Sequence, residues 1–123
     1  AASDVYKRQI LYTALQTAKQ MISYRGIVCE IEHNLICIAI RDINSEVNLR
    51  SFLESLRNQI AWNVLLMNGK KNLTFSIGIA RYPQNGITME LVKKKLYRAF
   101  DIAHERGHNH YIIYREHLHG EIS

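Results

Sequence analysis

Gly26-Ile27-Val28-Cys29-Glu30-Ile31, then Glu32-His33-Asn34, then Leu35-Ile36-Cys37-Ile38-Ala39-Ile40 is the stretch that decides the fold. A short polar interruption between two β-prone runs predicts a hairpin. The second run is apolar at every position, so periodicity does not choose between strand and helix. Its length and isoleucine content favour a strand buried on both faces, central in a sheet. The tip then sits at the end of a rigid ribbon, a good place for a binding site. A carboxylate, an imidazole and an amide occupy it, with no glycine. Cys29 and Cys37 flank the tip. If Glu32 pairs with Leu35 across a two-residue loop, Cys29 faces Ile38, Cys37 faces Glu30, and the sulfurs point to opposite faces. A three-residue loop sets the two cysteines opposite each other. Two free thiols of a reducing compartment are the default for such a pair.

Upstream, Leu11, Ala14, Leu15, Ala18, Met21 and Ile22 recur at helical spacing and predict a helix over 10–22 with one buried stripe. Gly26 suits the turn that follows. Residues 1–9 read AASDVYKRQ. Asp4 to Gln9 looks like a translated transposon-end adapter used in DNA library preparation. The segment is taken as adapter-derived or disordered and set aside, with the natural protein expected to extend upstream. Without Asp4, Lys7 and Arg8 the formal charge falls from +5 to +4.

Downstream, Ser45 is a candidate N-cap with Glu46 in the first turn. Val47, Leu49, Phe52, Leu53, Leu56 and Ile60 mark one face of a long helix. Glu54 can pair with Arg50 or Arg57 on the other face. Residues 62–67 are apolar and fit either a helix end or a short edge strand, and 68–72 form a turn. Residues 73–80 alternate: Leu73, Phe75, Ile77 and Ile79 share one face, while Thr74, Ser76, Gly78 and Ala80 share the other. That second face is uniformly small, so a helix is expected to pack close against it. Thr88 can cap a helix running to about Arg106, with Val92, Leu96, Ala99 and Ala103 inward and Gly107 at its C-terminal end. Residues 110–114 form a last strand, and 116–123 read as a tail or the start of a linker. The order predicts a single α+β domain over 10–115. It is a ferredoxin-like sandwich with a mixed, mostly antiparallel sheet and helices covering one face.

The bulk numbers agree with one soluble domain. The chain has 123 residues, 47% of them hydrophobic, one proline and six glycines, which suits a real core and argues against disorder. No apolar run approaches membrane-spanning length and no signal-peptide pattern opens the chain. A cytoplasmic location is expected, though a longer chain can be membrane-anchored. The charge suits an anionic partner, but lysines and arginines are scattered, as on a solvated surface.

Two blocks carry a family resemblance. Leu73-Thr-Phe-Ser-Ile-Gly-Ile-Ala80, followed by Arg81-Tyr82-Pro83, resembles the strand "vTvSiGiA.yp" of GGDEF domains. Ala99-Phe-Asp-Ile-Ala103 with Gly107-His108-Asn109 resembles that family's "AlyxAKxxGxN" helix end. The spacing between the blocks also fits, and the hairpin falls where the family keeps its RxGGDEF loop. The resemblance implies a nucleotide-cyclase palm. Active members pair two domains, each with GTP and two Mg²⁺ ions, and condense two GTP into cyclic di-GMP. The glycines admit the nucleotide to the backbone, and the acidic residues hold metal.

The chain departs from that pattern where the chemistry occurs. Glu30 replaces the arginine, Glu32 and His33 stand at the glycine positions, and Asn34 alone precedes Leu35 in place of two acids. Side chains at the glycine positions fill the space a nucleotide needs. A neutral amide is a poor anchor for Mg²⁺, and without the metal the charge that stabilises phosphoryl transfer is lost. The family's first-strand aspartate falls upstream of Ile10 and has no counterpart. The inhibitory RxxD site is replaced by Ser23-Tyr24-Arg25-Gly26. The expectation is a catalytically degenerate GGDEF domain acting as a regulatory or dimerisation module in bacterial cyclic di-GMP signalling, with no catalytic or metal-binding residues and no cofactor. Its partner would be a second GGDEF domain or a covalently linked EAL or sensor domain, with GTP or cyclic di-GMP as candidate ligands. The alternatives are an active diguanylate cyclase with an atypical motif, which would need Mg²⁺ and GTP, and a basic nucleic-acid-binding ferredoxin-like module. The last lacks the aromatic-lined central strands of RNA-recognition sheets.

Three other features of the chain have ordinary structural roles as their alternatives. His108, His110, His117 and His119 lie close in sequence, but nothing fixes a metal site among them. Lys93, Lys94, Lys95 and Arg98 can touch phosphate, though a solvated helix face is the usual outcome. Ser76 has no supporting base and is expected to serve close packing.

Overall fold

The computed structural model describes residues 2–31, 35–66, 76–105 and 111–114. Helix α1 (Ala2–Ile22) and a 3₁₀ turn (Ser23–Arg25) lead into β1 (Gly26–Ile31) and β2 (Leu35–Ile40). Helix α2 (Glu46–Leu66), β3 (Ser76–Arg81), α3 (Met89–Glu105) and β4 (Tyr111–Ile113) follow. The fold is α+β, with a four-stranded mixed sheet in the order β1-β2-β3-β4.

The expected helix over 10–22 begins earlier, at Ala2, so residues 2–9 form its first turns. The ambiguous stretch from Trp62 is helical to Leu66, as the last turns of α2. Both later helices are capped as their sequences predict. The Asn48 amide donates to Ser45 Oγ at 3.1 Å and the Leu91 amide to Thr88 Oγ1 at 3.2 Å. Leu49, Leu53, Leu56, Ile60 and Val64 form the buried stripe of α2, but Val47 is 73% exposed. Val47 sits in the first turn, two residues before Leu49 and so round the helix from the stripe. Glu54 pairs with Arg57 at 3.7 Å, while Arg50 reaches back to Glu46 at 4.0 Å.

Two expectations about the sheet are corrected. It is not mostly antiparallel: β1–β2 is antiparallel, but β2–β3 and β3–β4 are parallel. The reason is connectivity, because each of those pairs is joined by a helix that carries the chain back to its starting end. Nor do the helices share one face. Ile36, Ile38, Ile40, Ile77 and Ile79 pack with α1 and α2, whereas Leu35, Cys37, Ala39, Ala80 and Ile112 pack with Val92, Leu96 and Ala99 of α3. The two parallel crossovers step the same way across the sheet with their helices on opposite faces. They are therefore of opposite hand, and one is the rarer left-handed kind.

The unbroken apolar run of β2 thus has its cause. Every residue from Leu35 to Ile40 is buried, alternately against the α1/α2 layer and against α3. The small face of β3 receives a helix, as predicted. A Cβ on Gly78 would lie 3.0 Å from Leu96 Cδ2 and 3.1 Å from Phe100 Cε2. At the other end of the sheet, a Cβ on Gly26 would run into the Ala39 carbonyl oxygen, which is backbone and cannot yield. Thr17 links the helical layer across its polar seam: its hydroxyl donates to Thr13 O at 2.7 Å and accepts from Asn63 Nδ2 at 2.8 Å. Arg25 over the Phe52 ring, at 5.5 Å, ties α2 to the 3₁₀ turn before β1, and Arg57 over the Tyr111 ring, at 5.6 Å, ties it to β4.

Candidate functional site

Ile31 pairs with Leu35, so the connection between β1 and β2 is the three residues 32–34. Of the loop-length alternatives the chain adopts the longer, and Cys29 stands directly opposite Cys37. Glu30, opposite Ile36, is exposed, whereas Leu35 is buried on the α3 side at the first position of β2. Leu35 is therefore a core residue. Glu32, His33 and Asn34 lie outside the described residues, as do His108, His110, His117 and His119. Among the described residues no group of three or more His, Cys, Asp or Glu side chains gathers to hold a metal ion.

The basic run on α3 divides. Lys93 Nζ lies 3.9 Å from Glu90 Oε1, and Lys94 and Arg98 are exposed. Lys95 departs from the solvated face expected of it: only 8% exposed, it places Nζ 5.3 Å from the centre of the Tyr114 ring. The long aliphatic stem fills the edge of the core while the ammonium meets an aromatic face. Ser76 is half-buried opposite Leu35, as a small residue at the start of β3.

The chemistry-bearing feature that the structure brings together is the cysteine pair. Alternation puts Cys29 and Cys37 on the α3 face, where Cys37 is fully buried and Cys29 partly so. Burial pushes both thiols up from their ordinary value, Cys37 to about 12, with the neighbouring Cys29 adding to the rise. Lys93 acts in the opposite sense on both, and Glu90 adds to the rise at Cys29. The signal for this pair was present in the sequence as the unresolved choice between two loop lengths.

No protein family, curated protein or solved structure matches the chain.

Proposed function

We propose that the chain is a catalytically degenerate GGDEF domain, a variant of the ferredoxin-like cyclase palm that regulates or dimerises in cyclic di-GMP signalling. One observation carries the proposal. The sequence Glu32-His33-Asn34 joins two strands paired to their ends, Ile31 to Leu35, where the resemblance puts RxGGDEF. Side chains in place of the signature glycines leave a nucleotide no bare backbone to approach. Two further features support it. The block resembling "vTvSiGiA" supplies β3, whose small residues admit α3 at close range. Ala99 to Ala103, the first part of the block resembling the helix end, lie in the last turns of α3.

On this view the domain's work is done through its surfaces, on a second GGDEF domain or on a linked EAL or sensor domain. Incubating the purified chain with GTP and Mg²⁺ is expected to yield no cyclic di-GMP above a protein-free control by chromatography. Accumulation of cyclic di-GMP that tracks protein concentration would refute the proposal and favour an active cyclase with an atypical motif.

A further inference from the structure

We infer that Cys29 and Cys37 form an oxidisable dithiol, a cross-strand pair that small disulfides such as oxidised glutathione convert to an internal disulfide. The register makes them direct partners in an antiparallel ladder, and both are free thiols. Arg41 donates its amide to Arg25 O, which makes that pair a hydrogen-bonded one. Counting two residues at a time along the ladder makes Cys29–Cys37 hydrogen-bonded as well. Such pairs hold their Cα atoms about 5.5 Å apart. Disulfides span roughly 4.4–6.8 Å between Cα atoms but only about 3.5–4.5 Å between Cβ atoms, less than the roughly 5 Å of a hydrogen-bonded pair, so closing the bond draws β1 and β2 slightly together and leaves it strained and readily reduced. Both side chains lie on the α3 face, so the sulfurs share one side of the sheet. A metal is the weaker reading of the same pair, since no third His, Cys, Asp or Glu ligand joins it among the described residues. A disulfide needs only the two sulfurs.

Exposure sets the order of events. Cys29 is partly accessible and attacks first, while Cys37 is fully covered. Cys29 gives its proton to solvent, and its thiolate attacks one sulfur of oxidised glutathione. The glutathione S–S bond breaks and one glutathione thiolate leaves. Cys37, giving up its own proton, then attacks Cys29 Sγ, breaks the mixed disulfide and releases the second glutathione. The chain loses two protons and two electrons, and the oxidised glutathione takes up both to become two molecules of reduced glutathione. The new bond closes a ring over residues 29–37 that contains the hairpin tip, and it fastens β1, an edge strand, to β2. Lys93 favours the attacking thiolate and Glu90 disfavours it.

The test equilibrates the full chain in buffers of increasing oxidised-to-reduced glutathione ratio, then quenches, alkylates and weighs it under denaturing conditions. The expected result is a monomer whose two alkylatable thiols vanish together, two hydrogens lighter than the reduced chain. Cys37→Ser is expected to stop at a stable mixed disulfide on Cys29. Cys29→Ser is expected to leave Cys37 unreactive until urea is added. Lys93→Gln is expected to slow disulfide formation about three-fold, the scale of one charge interaction near a solvated surface. Thiols that stay alkylatable in oxidised buffer overturn the inference. So do intermolecular dimers in place of the internal bond, or a disulfide that forms in urea but not in native buffer. The wild-type measurement decides even if a serine variant fails to fold.

Discussion

Replacing Ile38 with alanine is expected to lower the unfolding free energy by about 3–4 kcal/mol, within the range for large-to-small changes at fully packed sites. Ile38 is at the centre of β2, completely buried, and belongs to the core that joins the sheet to α1 and α2. The loss combines the transfer energy of the deleted carbons with the cavity left between layers that cannot close in. The matched control is Ile27→Ala. Ile27 is on β1, 54% exposed, and is expected to cost well under about 1 kcal/mol. Urea unfolding curves of the two variants and the parent check the pair. Because side chains alternate along a strand, slipping β2 by one residue would carry Ile38 to the α3 side and change which residues are sensitive. Equal losses at Ile27 and Ile38 would contradict the register.

Alkaline pH is expected to have an effect of similar size through one thiol. Burial raises the folded-state value of Cys37 from 9.0 to about 12, so the native chain holds that proton more tightly than the unfolded chain does. The sign follows from proton counts. Below about pH 9 both states are protonated and the stabilisation is fully present. Between about 9 and 12 the unfolded state loses its proton first, so stability falls as pH rises. A shift of this size corresponds to about 4 kcal/mol by the top of the window, at about 1.4 kcal/mol per pH unit. Tyr111, raised from 10.0 to about 12 mainly by burial, adds in the same direction. Its ring is partly exposed, so its share is smaller. Urea midpoints under reducing conditions should hold up to about pH 9 and fall from there to pH 11. Cys37→Ser should flatten much of that slope. A parent chain equally stable at pH 8.5 and 11 would rule the account out.

How far the sequence discloses these features depends on what kind of signal each one is. The burial of β2 on both sides was legible because six consecutive apolar residues leave a strand no solvent face. The helix stripes and both N-caps were legible for the same local reason: 3.6-residue spacing and a hydroxyl before the first turn. The arrangement of layers was not. Alternation in β3 showed that Gly78 and Ala80 meet something close, and α3 meets them. Nothing local says that α1 and α2 lie on the reverse side. Parallel pairing was missed for a related cause, since it is set by the number of crossings between strands and not by any residue within them. The burial of Lys95 is not legible locally because its partner, Tyr114, lies just past β4, distant in sequence. The candidate site was half legible. Tip composition is a sequence fact, whereas the meeting of Cys29 and Cys37 turns on one residue of loop length.

The mixed sheet also has a kinetic corollary. Its antiparallel pairing joins strands separated by three residues, whereas each parallel pairing must wait for an entire intervening helix to be laid down. Closing a short loop costs little entropy and takes microseconds, while distant pairing is slow. The ribbon of β1 and β2 should therefore act as the template on which β3 and then β4 zip. Substitutions within the ribbon should chiefly retard folding, and those in β4 should chiefly hasten unfolding, a division that the two arms of a chevron plot would expose.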